Sequence, residues 1–169
     1  GGDSPTYAAA GLNGHPSVHF DGSADYLAFP EITDIRTVFW VMSKEAGNNR
    51  PLLAHSSGSD FHTGTQYFWS STWTDHYIRY GSTYLSGGEI DGTNTLVPTG
   101  PFLLSLVTSG NVEANRLSRD RNYNDRYWKG EIAEILIYNA ALGDADRKNV
   151  QQYLAEKWDV AHFNETYAQ

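Results

Sequence analysis

The chain has 169 residues, with 20 Asp+Glu against 12 Lys+Arg and no cysteine. This length suits one domain with its own core, and zero cysteine excludes disulfides, thiolate zinc sites and a cysteine nucleophile. The net charge of −8 argues against nucleic acid and against an anionic membrane surface, and it suits cations or cationic ligands.

Gly1-Gly2-Asp3 opens the chain with no initiator Met and no secretory signal, which predicts a piece of something longer. Ser17–Phe20 reads as a strand leading into the turn signal Asp21-Gly22, followed by Tyr26–Phe29. Arg36–Met42 (RTVFWVM) reads as a fully buried strand, and Leu52–His55 as another. Gln66–Ser70, Tyr77–Tyr80 and Thr83–Leu85 read as short strands, and Ser86-Gly87-Gly88 as a tight turn into Glu89–Asp91. Phe102–Thr108 and Val112–Leu117 follow, joined at Ser109-Gly110-Asn111.

The last strand is Tyr127–Tyr138, where strict alternation puts Ala133, Ile135 and Ile137 on one face and Ile132, Leu136 and Tyr138 on the other. A helix over Asp144–Trp158 carries a stripe of Val150, Leu154 and Trp158, with Asp144 and Asp146 in its first turn. The most apolar stretch, Ile132–Leu142, is broken by Glu134 and Asn139 and falls far short of the roughly 20 residues a membrane span needs. Some ten short strands with regular turns predict an all-β fold. The expected architecture is an antiparallel β-sandwich of jelly-roll type with one C-terminal α-helix, a single domain over residues 1–169.

Two stretches carry a resemblance. Asn13–Leu27 (NGHPSVHFDGSADYL) is similar to the first hairpin of laminin-G-like, concanavalin A-like jelly-roll domains. Trp128–Asn139 (WKGEIAEILIYN), with Leu142, Tyr153-Leu154 and Lys157-Trp158, is similar to their ending. In that family such sequences mark binding modules far more often than enzymes. His55–Gly64, Tyr84–Thr93 and Arg119-Asp120-Arg121 further resemble the versions found in large, calcium-dependent repeats-in-toxin adhesins of Gram-negative bacteria. Some of those modules hold the end of a short peptide through bound calcium. The resemblance implies a monomeric module within a longer chain, secreted or at the bacterial cell surface. Its partner would be a peptide or glycan on a host or neighbouring cell, with no nucleic acid and no membrane insertion.

The richest oxygen cluster is Asp120-Arg121-Asn122-Tyr123-Asn124-Asp125. Asp120, Asn122 and Asn124 alternate as at the start of a calcium loop, but Asp125 stands where an EF-hand takes glycine. The plain alternative is a polar loop whose Asx side chains satisfy its own turn. Asp60 supplies a further carboxylate from another loop, so the expected Ca2+ ligands are Asp60, Asp120, Asn122, Asn124 and Asp125. Ser59, His62, Trp73, Arg79, Arg121 and Tyr123 are the expected ligand contacts. Trp73 stands out as an aromatic in a polar loop, and Arg79 and Arg121 offer bidentate donors to a carboxylate. The six histidines are scattered and lack zinc spacing.

Glu89-Ile90-Asp91-Gly92-Thr93-Asn94 approaches the glucanase pattern E-x-D-x-x-E, but Asn94 replaces the second Glu. Asparagine cannot serve as the acid/base of that mechanism, so no enzyme is expected. The leading expectation is a calcium-dependent adhesin module for peptide ends. The alternative is a lectin-like carbohydrate-binding module that uses the aromatic surface.

Overall fold

A computed structural model describes residues 4–46, 52–58 and 60–162. The strands in chain order are β1 (Thr6–Ala8), β2 (Ser17–Asp21), β3 (Leu27–Lys44), β4 (Leu53–Ala54), β5 (Ser82–Leu85), β6 (Gly88–Ile90), β7 (Gly100–Leu117) and β8 (Lys129–Tyr138). A short helix, α1 (His76–Arg79), precedes β5, and α2 (Asp144–Trp158) closes the described fold. The protein is an antiparallel all-β sandwich with one C-terminal helix, its strands hydrogen-bonded in the order β1-β2-β8-β3-β7-β5-β6, with β4 joined to β7.

Two layers arise because β3 and β7 are 18 residues each and run beside one another along their whole length. Lys44 faces Gly100 at one end and Leu27 faces Leu117 at the other. The C-terminal half of β3 also pairs with β8, and the C-terminal end of β7 also pairs with β4. Between the halves the register slips, since Ile35 faces Val112 while Thr37 faces Val107. The extra residues of β7 are those expected to form a turn at Ser109–Asn111. They form a bulge inside one continuous strand, where the Thr108 hydroxyl donates to the Gly110 carbonyl. A Cβ on Gly110 would lie 2.4 Å from the Tyr77 ring, so glycine marks the close approach of α1.

The sandwich core takes Val38, Trp40 and Met42 from β3 and Phe102, Leu104 and Leu106 from β7, together with Phe61, Phe68, Trp69 and Trp128. The opposite face of the same strands, through Phe39, Val41 and Leu103, packs on Leu154, Ala155 and Trp158 of α2. Val150 is partly buried there, so the expected stripe is the docking face. It is extended by a buried polar pair: Arg147 donates to Gln151, and Gln151 donates to Ser105 on β7.

Several local expectations give way. Tyr77–Tyr80 is part of a helical turn, because the Asp75 carboxylate caps it by accepting the Tyr77 N–H at 2.7 Å. Among the described residues Gln66–Ser70 makes only one bridge, Tyr67 to Leu96. The hairpin implied for β2 and β3 is absent because β8 lies between them. The β5–β6 turn is as expected, with Ser86 and Gly87 both at positive φ as a type I′ turn requires. In β8, Ile132 shares the core with Ile135 and Ile137, while Ala133 joins Leu136 and Tyr138 under the helix. A register shift between Val41–Glu134 and Met42–Ile132 resets the alternation.

Gly130 sits at the start of that strand with φ +138, and a Cβ there would lie 2.1 Å from the Ser43 carbonyl oxygen. Gly130→Ala should therefore cost about 2–3 kcal/mol from strain and overpacking. Gly14→Ala, at φ +82 with open space around it, should cost less. Equal urea midpoints for the two variants would contradict this account of the β8 entry.

Candidate functional site

Two loops meet over the edge of the aromatic core and line a cavity of about 440 Å³. His62, Thr63, Gly64 and Thr65, and further along Ser70, Thr72 and Trp73, come from the long loop between β4 and α1. Asp120, Asp125 and Arg126 come from the loop after β7. Beneath them, Phe61 and Trp69 are buried against Trp40 at ring separations of 6.2 and 6.3 Å. The Trp69 indole N–H donates to Thr83 on β5 at 2.8 Å, which ties the floor of the site to the sheet.

The Trp73 loop is shaped by its own side chains. Ser70 Oγ accepts the backbone N–H groups of Thr72 and Trp73, and Thr74 Oγ1 donates to the His62 carbonyl. Arg79 braces the loop from below by donating to the Thr74 and Ser71 carbonyls at 2.9 and 2.8 Å. Arg79 therefore holds the loop and is not among the cavity-lining residues. Trp73 is 68% exposed, the only one of five tryptophans in that state.

Asp120 is the buried charge of the site, with its side chain 3% exposed. Arg121 grips it with both ends of its fork, Nε to Oδ1 at 3.1 Å and Nη2 to Oδ2 at 3.2 Å. Arg126 adds Nη1 to Oδ2 at 2.8 Å. Burial pushes the Asp120 pKa up, but the hydrogen bonds from the two arginines push it further down, below its ordinary value. Both guanidinium groups lie over the Tyr123 ring, 4.7 Å from its centroid for Arg121 and 4.2 Å for Arg126. The backbone helps, since the Asp120 N–H donates to the Arg126 carbonyl and the Tyr123 N–H to the Asp120 carbonyl.

His62 Nδ1 lies 2.9 Å from the Thr63 carbonyl, which assigns the ring proton to Nδ1. Nε2 is left as an acceptor, 3.4 Å from Arg126 Nη1. Burial lowers the His62 pKa and the two arginines add to this, outweighing the Asp120 charge and the Thr63 carbonyl, which raise it, so the neutral ring is favoured.

Of the expected contacts, His62 and Trp73 line the cavity, while Arg121 and Tyr123 touch Asp120 and Arg126, which line it. Arg79 is withdrawn beneath the loop, and Ser59 lies outside the described residues. Arg126, absent from the sequence-based set, is the guanidinium that lines the cavity. Nothing in its spacing set it apart from the Asx run beside it.

Calcium takes about six to eight oxygens, and the five expected ligands do not offer them here. Both Asp120 oxygens are held by guanidinium groups, which would repel a divalent ion at that position. Asn124 Oδ1 accepts from Arg119 at 2.7 Å, and Asn122 and Asp125 are exposed. Asp60 is engaged elsewhere, with Oδ2 accepting the Glu113 N–H on β7 at 2.9 Å. As the side chains stand, this donor set does not fit a calcium ion.

One cluster of three carboxylate and histidine side chains close enough to share an ion is formed among the described residues, by Glu31, His55 and Glu113. His55 Nδ1 accepts the Gly58 N–H at 2.8 Å, so its proton is on Nε2 and donates to Glu31. Both ring nitrogens are thus used in bracing β3 to the loop after β4. Comparison with known protein families, curated proteins and solved structures gave no match.

Asp60 provides a signed pH test. Burial raises its pKa, and the like charges of Asp75 and Glu113 add to this against the Glu113 N–H. Its ionised form therefore costs stability at neutral pH, and the cost is relieved as pH falls through the raised value. Asp60→Asn keeps an oxygen for the Glu113 N–H and should raise the melting temperature at pH 7. The advantage should shrink as the solution is acidified. A variant less stable at pH 7, and insensitive to pH, would contradict this electrostatic account.

Proposed function

We infer that this domain is a non-catalytic ligand-binding module, and that it serves an extracellular bacterial adhesin by recognising the end of a short peptide. The observation that carries this is the convergence of two loops, distant in sequence, on one polar cavity lined by an exposed tryptophan. The cavity volume falls within the range of about 300–1,000 Å³ usual for small-ligand sites. An aromatic held in the open by side-chain hydrogen bonds is the kind of rigid anchor on which recognition surfaces depend.

The cavity is lined by His62, by the buried Asp120 carboxylate paired with two arginines, and by the exposed Asp125. Glu89 is exposed on the edge strand β6, and Asp91 spends Oδ1 on the Thr93 N–H and hydroxyl. Both positions are solvated, one on an edge strand and one in a turn. No helix among the described residues is long and apolar enough to cross a membrane.

A second reading has its own observation. Ser70, Thr72, Thr63 and Thr65 bring hydroxyls to the same cavity beside Trp73, a combination that suits a pyranose ring stacked on the indole.

A peptide array and a glycan array, each probed with the full chain in calcium and in chelator, test both readings. Peptide spots should capture the domain, and Trp73→Ala should weaken capture about tenfold or more. The same substitution should leave stability within about 0.5 kcal/mol, as for other exposed positions. Capture on glycans alone would favour the lectin-like module. Undiminished capture by Trp73→Ala would place the ligand elsewhere.

A further inference from the structure

We propose that Arg126 is the receptor for a ligand carboxylate in this cavity, so that the site binds the free C-terminus of a peptide directly, with no bridging metal ion. The inference rests on the peptide-binding function proposed above and assigns the chemistry of that site.

The pairing of charges at the cavity leads to it. Arg121 and Asp120 form a complete pair, with two parallel N–H···O contacts between the guanidinium and the carboxylate. Arg126 then supplies a second positive charge to the same buried acid. Its Nη1 is used on Asp120 and faces His62, while Nε and Nη2 have no protein acceptor among the described residues. Asp125 also lines the cavity, yet it forms no ion pair with Arg126 among the described residues. Arg126 therefore lines the cavity with one guanidinium edge that has no acceptor among the described residues, Asp125 being exposed and not paired with it.

That edge is held in place before any ligand arrives. Asp120 fixes one nitrogen, the Tyr123 ring lies against the guanidinium at 4.2 Å, and the Arg126 carbonyl is tied to the Asp120 N–H. A pre-oriented arginine loses little freedom on pairing, and its planar fork matches a carboxylate. His62, neutral with its lone pair toward Arg126, adds no competing negative charge. The Ser70, Thr72 and Thr65 side chains line the rest of the cavity with hydroxyls suited to peptide amides, and Trp73 offers a face for the residue before the end. A calcium ion is unnecessary to this scheme and is poorly placed beside two guanidinium groups.

Trp73 supplies the readout, because Trp40, Trp69, Trp128 and Trp158 are all buried. Tryptophan fluorescence of the full chain would be followed as pools of N-acetylated tripeptides are added in excess chelator. The pools are free acids, the same peptides as C-terminal amides, and amides carrying Asp or Glu side chains. The free acids should bind, with both amide pools at least about tenfold weaker. Arg126→Gln should abolish the difference between acid and amide, and Arg126→Lys should keep part of it, since it retains the charge and loses the fork. Added salt should weaken the free-acid pool most.

Equal binding of acids and amides would overturn the proposal and leave a peptide-binding module intact. So would binding that appears only with calcium and survives in Arg126→Gln. Preference for acidic side chains in amidated peptides would overturn the C-terminal assignment. Silence from every pool, with and without calcium, would remove the peptide-binding function itself.

Discussion

Two strands of 18 residues, β3 and β7, stay paired with each other from Lys44–Gly100 to Leu27–Leu117, and the rest of the molecule is arranged around them. Their inner halves are apolar on both faces, so one face meets the aromatic core and the other meets α2. Their outer halves are bulged and polar, and β4 adds there to β7. The loop after β4 runs back along β7, where Asp60 accepts the Glu113 N–H. It then reaches the loop after β7 at His62, 3.8 Å from Asp120. The cavity is thus a product of strand length, since the chain has to turn where these two strands end.

Within that frame Asp120 sets the electrostatics. A buried carboxylate is costly unless it is paired and hydrogen-bonded, and the loop supplies two arginines at once. Its lowered pKa means that its contribution to stability is complete above the ordinary carboxylate range. That contribution is lost only as pH falls through the lower folded value. Arg121 shows how closely the loop is fitted to this task. It accepts a left-handed backbone conformation, φ +48, and its carbonyl takes a hydrogen bond from Arg116 on β7. Tyr123, partly exposed, covers both guanidinium groups from outside.

Much of this was legible in residue order. The stripe of Val150, Leu154 and Trp158 located the helix, and RTVFWVM located the most buried strand. The loops carrying Asp60–Gly64, Trp73 and Asp120–Asp125 were singled out by their polarity, and the fold brings them to one place. Strand continuity was hidden because bulged residues such as Ser109-Gly110-Asn111 have turn chemistry whether or not the strand ends. The parity of β8 was hidden because one inserted residue at Ile132–Ala133 exchanges the two faces. The Tyr-Ile-Arg-Tyr stretch has strand propensity, and the preceding Asp75 cap overrides it. Arg126 was missed for a different reason. Its role comes from what occupies Asp120, and only three dimensions show that Arg121 is used up while Arg126 is not.

The central claim is that Asp120 is a carboxylate committed to two arginines and not to a metal ion. Carbon-detected NMR of the Asp120 side-chain carboxyl across an acid titration, repeated with calcium, measures this directly. The account predicts a carboxyl that stays ionised below the ordinary aspartate range and whose resonance does not move when calcium is added. An ordinary titration, or a calcium-induced shift at Asp120 that saturates, would contradict it.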